Sequence, residues 1–352
     1  MSAPHPSAPL AASTPSAEVD LAHEFLNRKT PMTTVRAILH RYPAVSPAIV
    51  LVISVIVFGL INSRFLALTN LSLITQQVAV IGALGIAETL VILTAGIDLS
   101  VGSAMVLSSI VIGNAATGMG LPGPVALLAG LVVGVATGIL NGALVTRLNL
   151  PPFIVTLGTL SIFTALTLLV SSGATVQGGE MPSILTWTGL TVNVLGVDIT
   201  YGVLITLLLY VVVSFALART AWGRHVYAAG DDKEAARLTG IRVSGVLLSV
   251  YLVAGVIVAI TAWIQIGRDF GASPNAATDA NLSVITAVVI GGTSLFGGRG
   301  NVWGTLLGAL IVGVFRNGLA LAGLDVLYQT LAVGILVIVA VSIDQWIRKV
   351  RK

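Results

Sequence analysis

The sequence predicts an all-α membrane protein, a polytopic helical bundle of about 10 transmembrane helices with both termini in the cytoplasm. Three observations carry that expectation. Apolar residues make up 56% of the 352 residues and charged residues only 9%, whereas a soluble globular chain carries about 25% charged residues. So few charges cannot clothe a water-facing surface, and a chain this apolar does not stay disordered. The mean hydropathy of +1.00 comes from runs of about 20 apolar residues, the length that crosses a hydrocarbon core. The basic residues, finally, fall on one side of those runs.

Residues 1–43 are a polar tail rich in Ser, Pro and Ala, with Arg28, Lys29, Arg36 and Arg41 ahead of the first apolar run. The tail lacks the apolar region and cleavage site of a signal peptide. It reads as a disordered cytoplasmic segment with one short helix. Spans are expected near 44–62, 73–95, 99–117, 122–145, 152–171, 200–218, 244–266, 282–293, 302–321 and 326–345. Residues 44–345 then form the membrane domain, with one long internal loop at 219–243, and 346–352 form a basic cytoplasmic tail. Glycine-punctuated stretches at 95–103 and 291–301 are expected as broken helices or re-entrant turns. Such backbone is tolerated at membrane depth only where protein or a water-lined cavity surrounds it. Eight spans plus re-entrant turns would satisfy the same pattern.

Charge tests the ten-span order. With the N-terminus inside, the internal segments hold 15 of the 18 Lys and Arg residues, the external ones only Arg64 and Arg268, and Arg316 falls within a span. That bias places both termini in the cytoplasm. The net charge of +4 is therefore a matter of topology and calls for no nucleic acid. The absence of cysteine excludes disulfides and Cys-ligated metal centres. Gly134, Gly138 and Gly142 lead into Asn141-Gly142 of the fourth span, and Gly308 and Gly313 lead into Asn317-Gly318 of the ninth. An offset of five spans is odd, so these features allow an inverted repeat of the kind found in transporters.

The loop 219–243 reads RTAWGRHVYAAGDDKEAARLTGIRV. Asp231 to Leu238 suits a short helix, with acidic residues at its start, Arg237 near its end and Gly240 to stop it. Glu234-Ala235-Ala236 with Gly240 resembles the EAA-x-x-x-G coupling loop of ABC-transporter permeases. Three further segments, ILTAGIDLSVGS at 92–103, PPFIVTLGT at 151–159 and VVIGGTSLFGGRGN at 288–301, resemble the permeases of ribose-type monosaccharide ABC importers. The likeness covers residues 45–345 and in detail leans toward the fructose import permeases.

That resemblance implies a transport subunit rather than an enzyme. It implies a homodimeric permease in the bacterial inner membrane and a separate cytoplasmic ATPase, usually of two fused cassettes, which uses ATP and Mg. A periplasmic sugar-binding protein would deliver fructose, ribose or another monosaccharide. Asp231, Asp232, Glu234, Ala235, Ala236, Arg237 and Gly240 become the ATPase-coupling residues. The chain itself binds no cofactor on this reading, since G-x-x-x-x-G-K-[ST] is absent. So are H-E-x-x-H, G-x-S-x-G and Ser-x-x-Lys, and the histidines at 5, 23, 40 and 225 form no metal-ligand spacing.

The remaining candidates are polar groups at depth, where an ionisable side chain must face protein or water. Glu88 reads as a proton relay or substrate contact, or as a structural partner that is neutral when protonated. Arg316 reads as functional, or as snorkelling to an interface. Asp98, between Gly96 and Gly102 with Ser100 beside it, caps a helix starting near Leu99 or lines the pathway, and the two roles are compatible. Ser294 occupies a comparable place in the second glycine segment. Gln76, Gln77, Asn141, Thr156, Thr159, Ser161 and Asn317 are candidate hydroxyl-binding or interhelical groups. A secondary, proton-coupled sugar carrier using Glu88 stands as the alternative function.

Overall fold

A computed structural model describes residues 45–335, apart from 178, 180 and 277–279, together with residue 338. The expected tails at 1–43 and 346–352 and most of 336–345 lie outside the described residues. The apolar runs all become helices. In chain order they are α1 (Val45–Ile61), α2 (Leu68–Leu93), α3 (Val101–Thr117), α4 (Gly123–Arg147) and α5 (Pro152–Ser171). Next come α6 (Ser183–Thr186), α7 (Tyr201–Arg219), α8 (Ala221–Asp231), α9 (Lys233–Leu238), α10 (Val243–Asp269), α11 (Ala280–Ile290) and α12 (Val302–Leu321). A last helix, α13 (Val326–Ile335), closes the described chain.

Six of these helices are long and apolar enough to cross a membrane, and α1, α3, α11 and α13 are shorter apolar helices. The ten together stand where ten spans are expected. The chain ladder explains the choice: a helix satisfies every backbone N–H and C=O within one segment, which hydrocarbon demands. Proline at the first turn of α4 and α5 sets the entry angle without losing a hydrogen bond.

Burial sorts the helices into layers. From Val78 to Leu93 every residue of α2 is buried, and α10 is buried along most of its length. The helices α1, α5 and α7 turn large apolar side chains outward, among them Ile53, Leu169, Leu208 and Phe215. An apolar exterior around a buried centre is the pattern a lipid-facing bundle shows. Between helices, hydrocarbon gives no hydrophobic drive, so close backbone approach has to supply the attraction. The α4–α10 pair does this with glycine. A Cβ on Gly138 would collide with the Tyr251 carbonyl, and one on Gly255 with the Gly134 carbonyl.

The end of the bundle that receives Arg147, Arg219, Arg242 and Arg299 is its basic end. The opposite end carries small β elements that the sequence did not reveal. β1 (Val176–Gln177) pairs antiparallel with β4 (Gly271–Ala272), and β2 (Thr191–Val194) with β3 (Val197–Thr200). The β2–β3 turn is Leu195-Gly196, both at positive φ, which suits a two-residue hairpin. Beside it Trp187 stacks on Tyr201 at 4.5 Å and on Trp263 at 5.9 Å.

The glycine contacts predict a contrast. Gly138→Leu or Gly255→Val is expected to destabilise the bundle by about 1–3 kcal/mol or more, because backbone must move. Gly158→Ala, at an exposed helical position with open space, is expected to be neutral or to stabilise by up to about 1 kcal/mol. Unfolding temperature and the monodisperse fraction after detergent extraction check both.

Candidate functional site: two helix breaks and a cytoplasmic helix pair

The first break follows α2. Thr94 to Ser100 are non-helical, and α3 begins only at Val101. The chain doubles back on α2, so that Asp98 N–H donates to Glu88 Oε1 at 3.2 Å. Asp98 lies beside the start of α3 but does not bond its first-turn amides. Its Oδ1 accepts from Ser100 N–H at 2.8 Å and Ser100 Oγ–H at 2.6 Å, a side-chain turn of the Asx type. The capping role is thus displaced by one step, with Ser100 standing at the N-cap position. The free Gly102 N–H is taken by Asn281 Oδ1 of α11 at 2.8 Å.

Neighbouring helices hold the break. Asn141 of α4 donates to Ser100 Oγ at 2.8 Å, and Thr156 of α5 donates to the Ile97 carbonyl at 2.9 Å. A Cβ on Gly96 would press on Val91 of α2, so the turn fits only a small residue. Glu88, Asp98, Ser100, Asn141 and Thr156 therefore form one buried cluster. Thr159 is buried one turn further along α5, donating to the Thr156 carbonyl, whereas Ser161 faces outward.

The second break, Gly291 to Asn301, joins α11 to α12. Ser294 copies the role of Asp98: its Oγ accepts from Phe296 N–H at 3.2 Å. Asn301 caps α12 by accepting from Gly304 N–H at 2.7 Å. The two breaks bond each other, Gly298 N–H to the Leu93 carbonyl at 3.0 Å.

Onto this joint sits the loop between α7 and α10. It folds as two helices, α8 and α9, rather than one helix starting near Asp231. Asp232 divides them and caps α9, accepting from Glu234 N–H at 2.9 Å and Ala235 N–H at 3.0 Å. Tyr227 of α8 donates to the Gly300 carbonyl at 2.9 Å, and its burial raises the phenol pKa, which keeps it a donor. Gly230 lies so close that a Cβ there would collide with the Leu93 carbonyl. Only the backbone of Gly230 fits between the two breaks.

α9 is the exposed part. Glu234 pairs with Arg237 at 2.7 Å in solvent, Asp231, Asp232 and Ala235 are exposed, and Ala236 is buried as the anchor. Gly240, at φ +86, ends the helix as expected. Leu238 is 89% exposed, an apolar side chain held out at the basic end beside five basic residues of 219–242. The reading of the sequence passed over Leu238, Gly230 and Asn281. Leu238 carried a signal, being the one large apolar residue between Lys233 and Gly240, but the other two depend on tertiary contact.

Asn317 is part of neither break. It exchanges hydrogen bonds of 2.9 and 2.8 Å with Asn70 near the opposite end, and Arg316 beside it is half-buried. Gln76 bonds Ser72 at 3.2 Å and Gln77 is half-buried, both on α2. Asn141 and Asn317 each lie near the C-terminal end of their helix, at opposite ends of the bundle.

The joint predicts a local defect. Gly230→Val is expected to prise α8 from the breaks and loosen α9, whose exposed residues are then free to enter a protease in extended form. Tyr227→Phe should cost about 1 kcal/mol, one hydrogen bond. Trypsin cleavage after Lys233 and Arg237, in vesicles with the basic face outward, should rise strongly in the first variant and little in the second.

Comparison with known proteins gives the chain its relatives. Residues 70–341 match the family described as branched-chain amino acid transport system / permease component. The chain is 48% identical over 335 residues to the fructose import permease protein of Rhizobium meliloti, covering 94% of this chain and 93% of that one. It is 36% identical over 303 residues to the ribose import permease protein of Bacillus subtilis (strain 168), covering 85% and 92%. The D-allose transport system permease protein of Escherichia coli (strain K12) is 34% identical over 301 residues, covering 85% and 91%. No solved structure matches.

Proposed function

The chain belongs to that family of permease components, and from this premise we propose that it is the membrane subunit of an ATP-binding-cassette importer for a monosaccharide, fructose first. The observation that carries the reading is the identity of 48% along nearly the whole of both chains with a fructose import permease protein. The relatives named for ribose and D-allose are more distant, so ribose or another pentose or hexose ranks second. The permease domain is residues 44–345, both tails are cytoplasmic, and its two halves form an inverted repeat. The opposite-end placement of Asn141 and Asn317 supports the last point.

The assembly contains a second copy of the chain, a cytoplasmic ATPase of two fused cassettes that uses ATP and Mg, and a periplasmic sugar-binding protein. This chain catalyses nothing. Its residues 231–240 take the push. α9 offers the ATPase Glu234, Ala235 and Leu238, and Ala236 seats it on the permease. Movement of α9 passes through Asp232 to α8, and Gly230 and Tyr227 carry it to both breaks at once. A rigid joint with two positions would then open the bundle alternately to either side. The proton-coupled carrier has less support, because the polar cluster that Glu88 joins through Asp98 and Ser100 stays at the first break, while its helix neighbours one turn away, Leu84 and Ile92, are apolar and fully buried.

Uptake of labelled fructose into vesicles holding the permease, its ATPase and its binding protein tests the reading, with ribose as competitor. Uptake should require ATP on the basic face and persist with a proton uncoupler. Uptake without ATP that stops on uncoupling overturns it. Glu234→Lys and Leu238→Asp should each lower uptake by more than about tenfold, as loss of a central docking residue does, with unchanged amounts of permease in the membrane. Full uptake by both would remove the coupling role from α9.

A further inference from the structure

A groove at the basic end is lined by no residue of either break. It runs between α8 and the start of α10, and the turn after α9 closes it. Trp222, His225, Arg242, Gly245, Val246 and Ser249 line it. Its volume is about 410 Å³, within the range of about 300–1,000 Å³ for sites that hold a small organic group.

The two ends of the groove differ. Arg242 and His225 are exposed, one at the turn into α10 and the other on α8. Among the described residues the ion pairs are Arg237–Glu234 and Arg268–Asp269, so neither neutralises Arg242. No Asp or Glu lines the groove. Arginine presents a planar fork that takes two oxygens of a phosphate, and His225 adds a ring N–H.

The other end is amphipathic. Trp222 is half-buried, and its Nε1–H donates to Ser249 Oγ at 2.8 Å. The Ser249 proton goes to the Val246 carbonyl at 2.7 Å, so the indole is pinned against α10. Tryptophan is enriched at the border between hydrocarbon and water. From Arg242 to Ser249 α10 rises about 10 Å, a distance comparable to the headgroup layer on one side of a bilayer. The groove also continues into the flank of the bundle. Gly245, Ser249 and Leu252 stand four and three residues apart on one face of α10, and Leu252 is 38% exposed.

A soluble anion would use only the basic end, and so would an acidic side chain of a protein partner. A phospholipid uses the whole feature, with its phosphate at Arg242 and His225, its glycerol at Trp222 and an acyl chain along the outward face of α10. We propose that this groove holds the headgroup of one anionic phospholipid from the leaflet at the basic end, a glycerol phosphodiester such as phosphatidylglycerol. Basic recesses between transmembrane helices on the cytoplasmic side take such headgroups. The lipid ties α8 to α10 from outside, whichever solute the bundle carries.

The test uses the full chain. Lipid retained in mild detergent is titrated by native mass spectrometry with phosphatidylglycerol and with phosphatidylcholine. Unfolding temperature is followed in phosphatidylcholine nanodiscs as phosphatidylglycerol is added. Expected are one tightly held phosphatidylglycerol per chain, no such phosphatidylcholine, and a rise in unfolding temperature that saturates. Arg242→Gln should lower the affinity by about tenfold or more, the loss of a charge-assisted contact, and His225→Gln should lower it less. Arg224→Gln, exposed on α8 but not lining the groove, should leave it unchanged. Equal retention of the two lipids would overturn the proposal. So would an effect of Arg224→Gln equal to that of Arg242→Gln, since the attraction would then belong to the basic surface as a whole. An equal rise in unfolding temperature with inorganic phosphate or glycerol 3-phosphate in pure phosphatidylcholine would assign the groove to a soluble anion instead. Lipid retention untouched by Arg242→Gln, with binding of the ATPase lost, would assign it to the ATPase.

Discussion

Backbone that leaves the helical ladder inside a bilayer has to find partners in protein, because lipid supplies none. The bundle departs from helix twice near its basic end, after Leu93 and after Ile290, where much of the backbone is enclosed by protein, and much of its construction answers those departures. Each break closes locally by a side chain that accepts from the amide two residues on, Asp98 in one and Ser294 in the other. Each is then held by its surroundings, through Thr156, Asn141 and Asn281 in the first and Tyr227 in the second. The bond from Gly298 to Leu93 makes the two breaks a single body. Small residues follow from the same constraint, since a side chain at Gly230 would occupy the position of a carbonyl that must stay bonded.

This joint is the route by which, on the proposed reading, the loop between α7 and α10 acts on the bundle. α9 alone is a short, exposed helix with one ion pair in solvent, an interaction worth little by itself. Its leverage comes from α8, whose buried face is Val226, Ala229 and Gly230. Between α9 and the breaks lie Asp232, in extended backbone, and α8. The glycine crossing of α4 with α10 packs the other side of the same region, because Tyr251, buried beside Asn141 and Ser100, also supplies the carbonyl that Gly138 approaches.

Much of this was legible in the sequence, for a physical reason. Hydrophobic length and charge asymmetry are read by the bilayer one segment at a time, so α12 begins and ends as expected and α4, α7 and α10 shift by only a few residues. The glycine stretches at 95–103 and 291–301 announced their breaks for the same local reason. α8 was not legible. Gly223 and Gly230 within it disfavour helix, and packing on α2 and α10 overrides that preference. The pairing of Asn317 with Asn70 and the place of Asn281 were equally hidden, since each joins residues far apart in the chain. The hairpin at Leu195-Gly196 lay in a segment read only as an external loop.

One short helix carries a consequence for how the protein is made. α11 has 11 residues and rises about 16 Å, roughly half of a hydrocarbon core. Such a segment is too short to partition into lipid by itself as it leaves the ribosome. It has to enter already leaning on its neighbours, with the Ala287 carbonyl set against Gly308 of α12 and Asn281 bonded to α3. Biogenesis of the second half of the chain therefore waits on the first half being in place. Lesions along α11 would surface as chains cleared by quality-control proteases during synthesis, long before any solute could be carried.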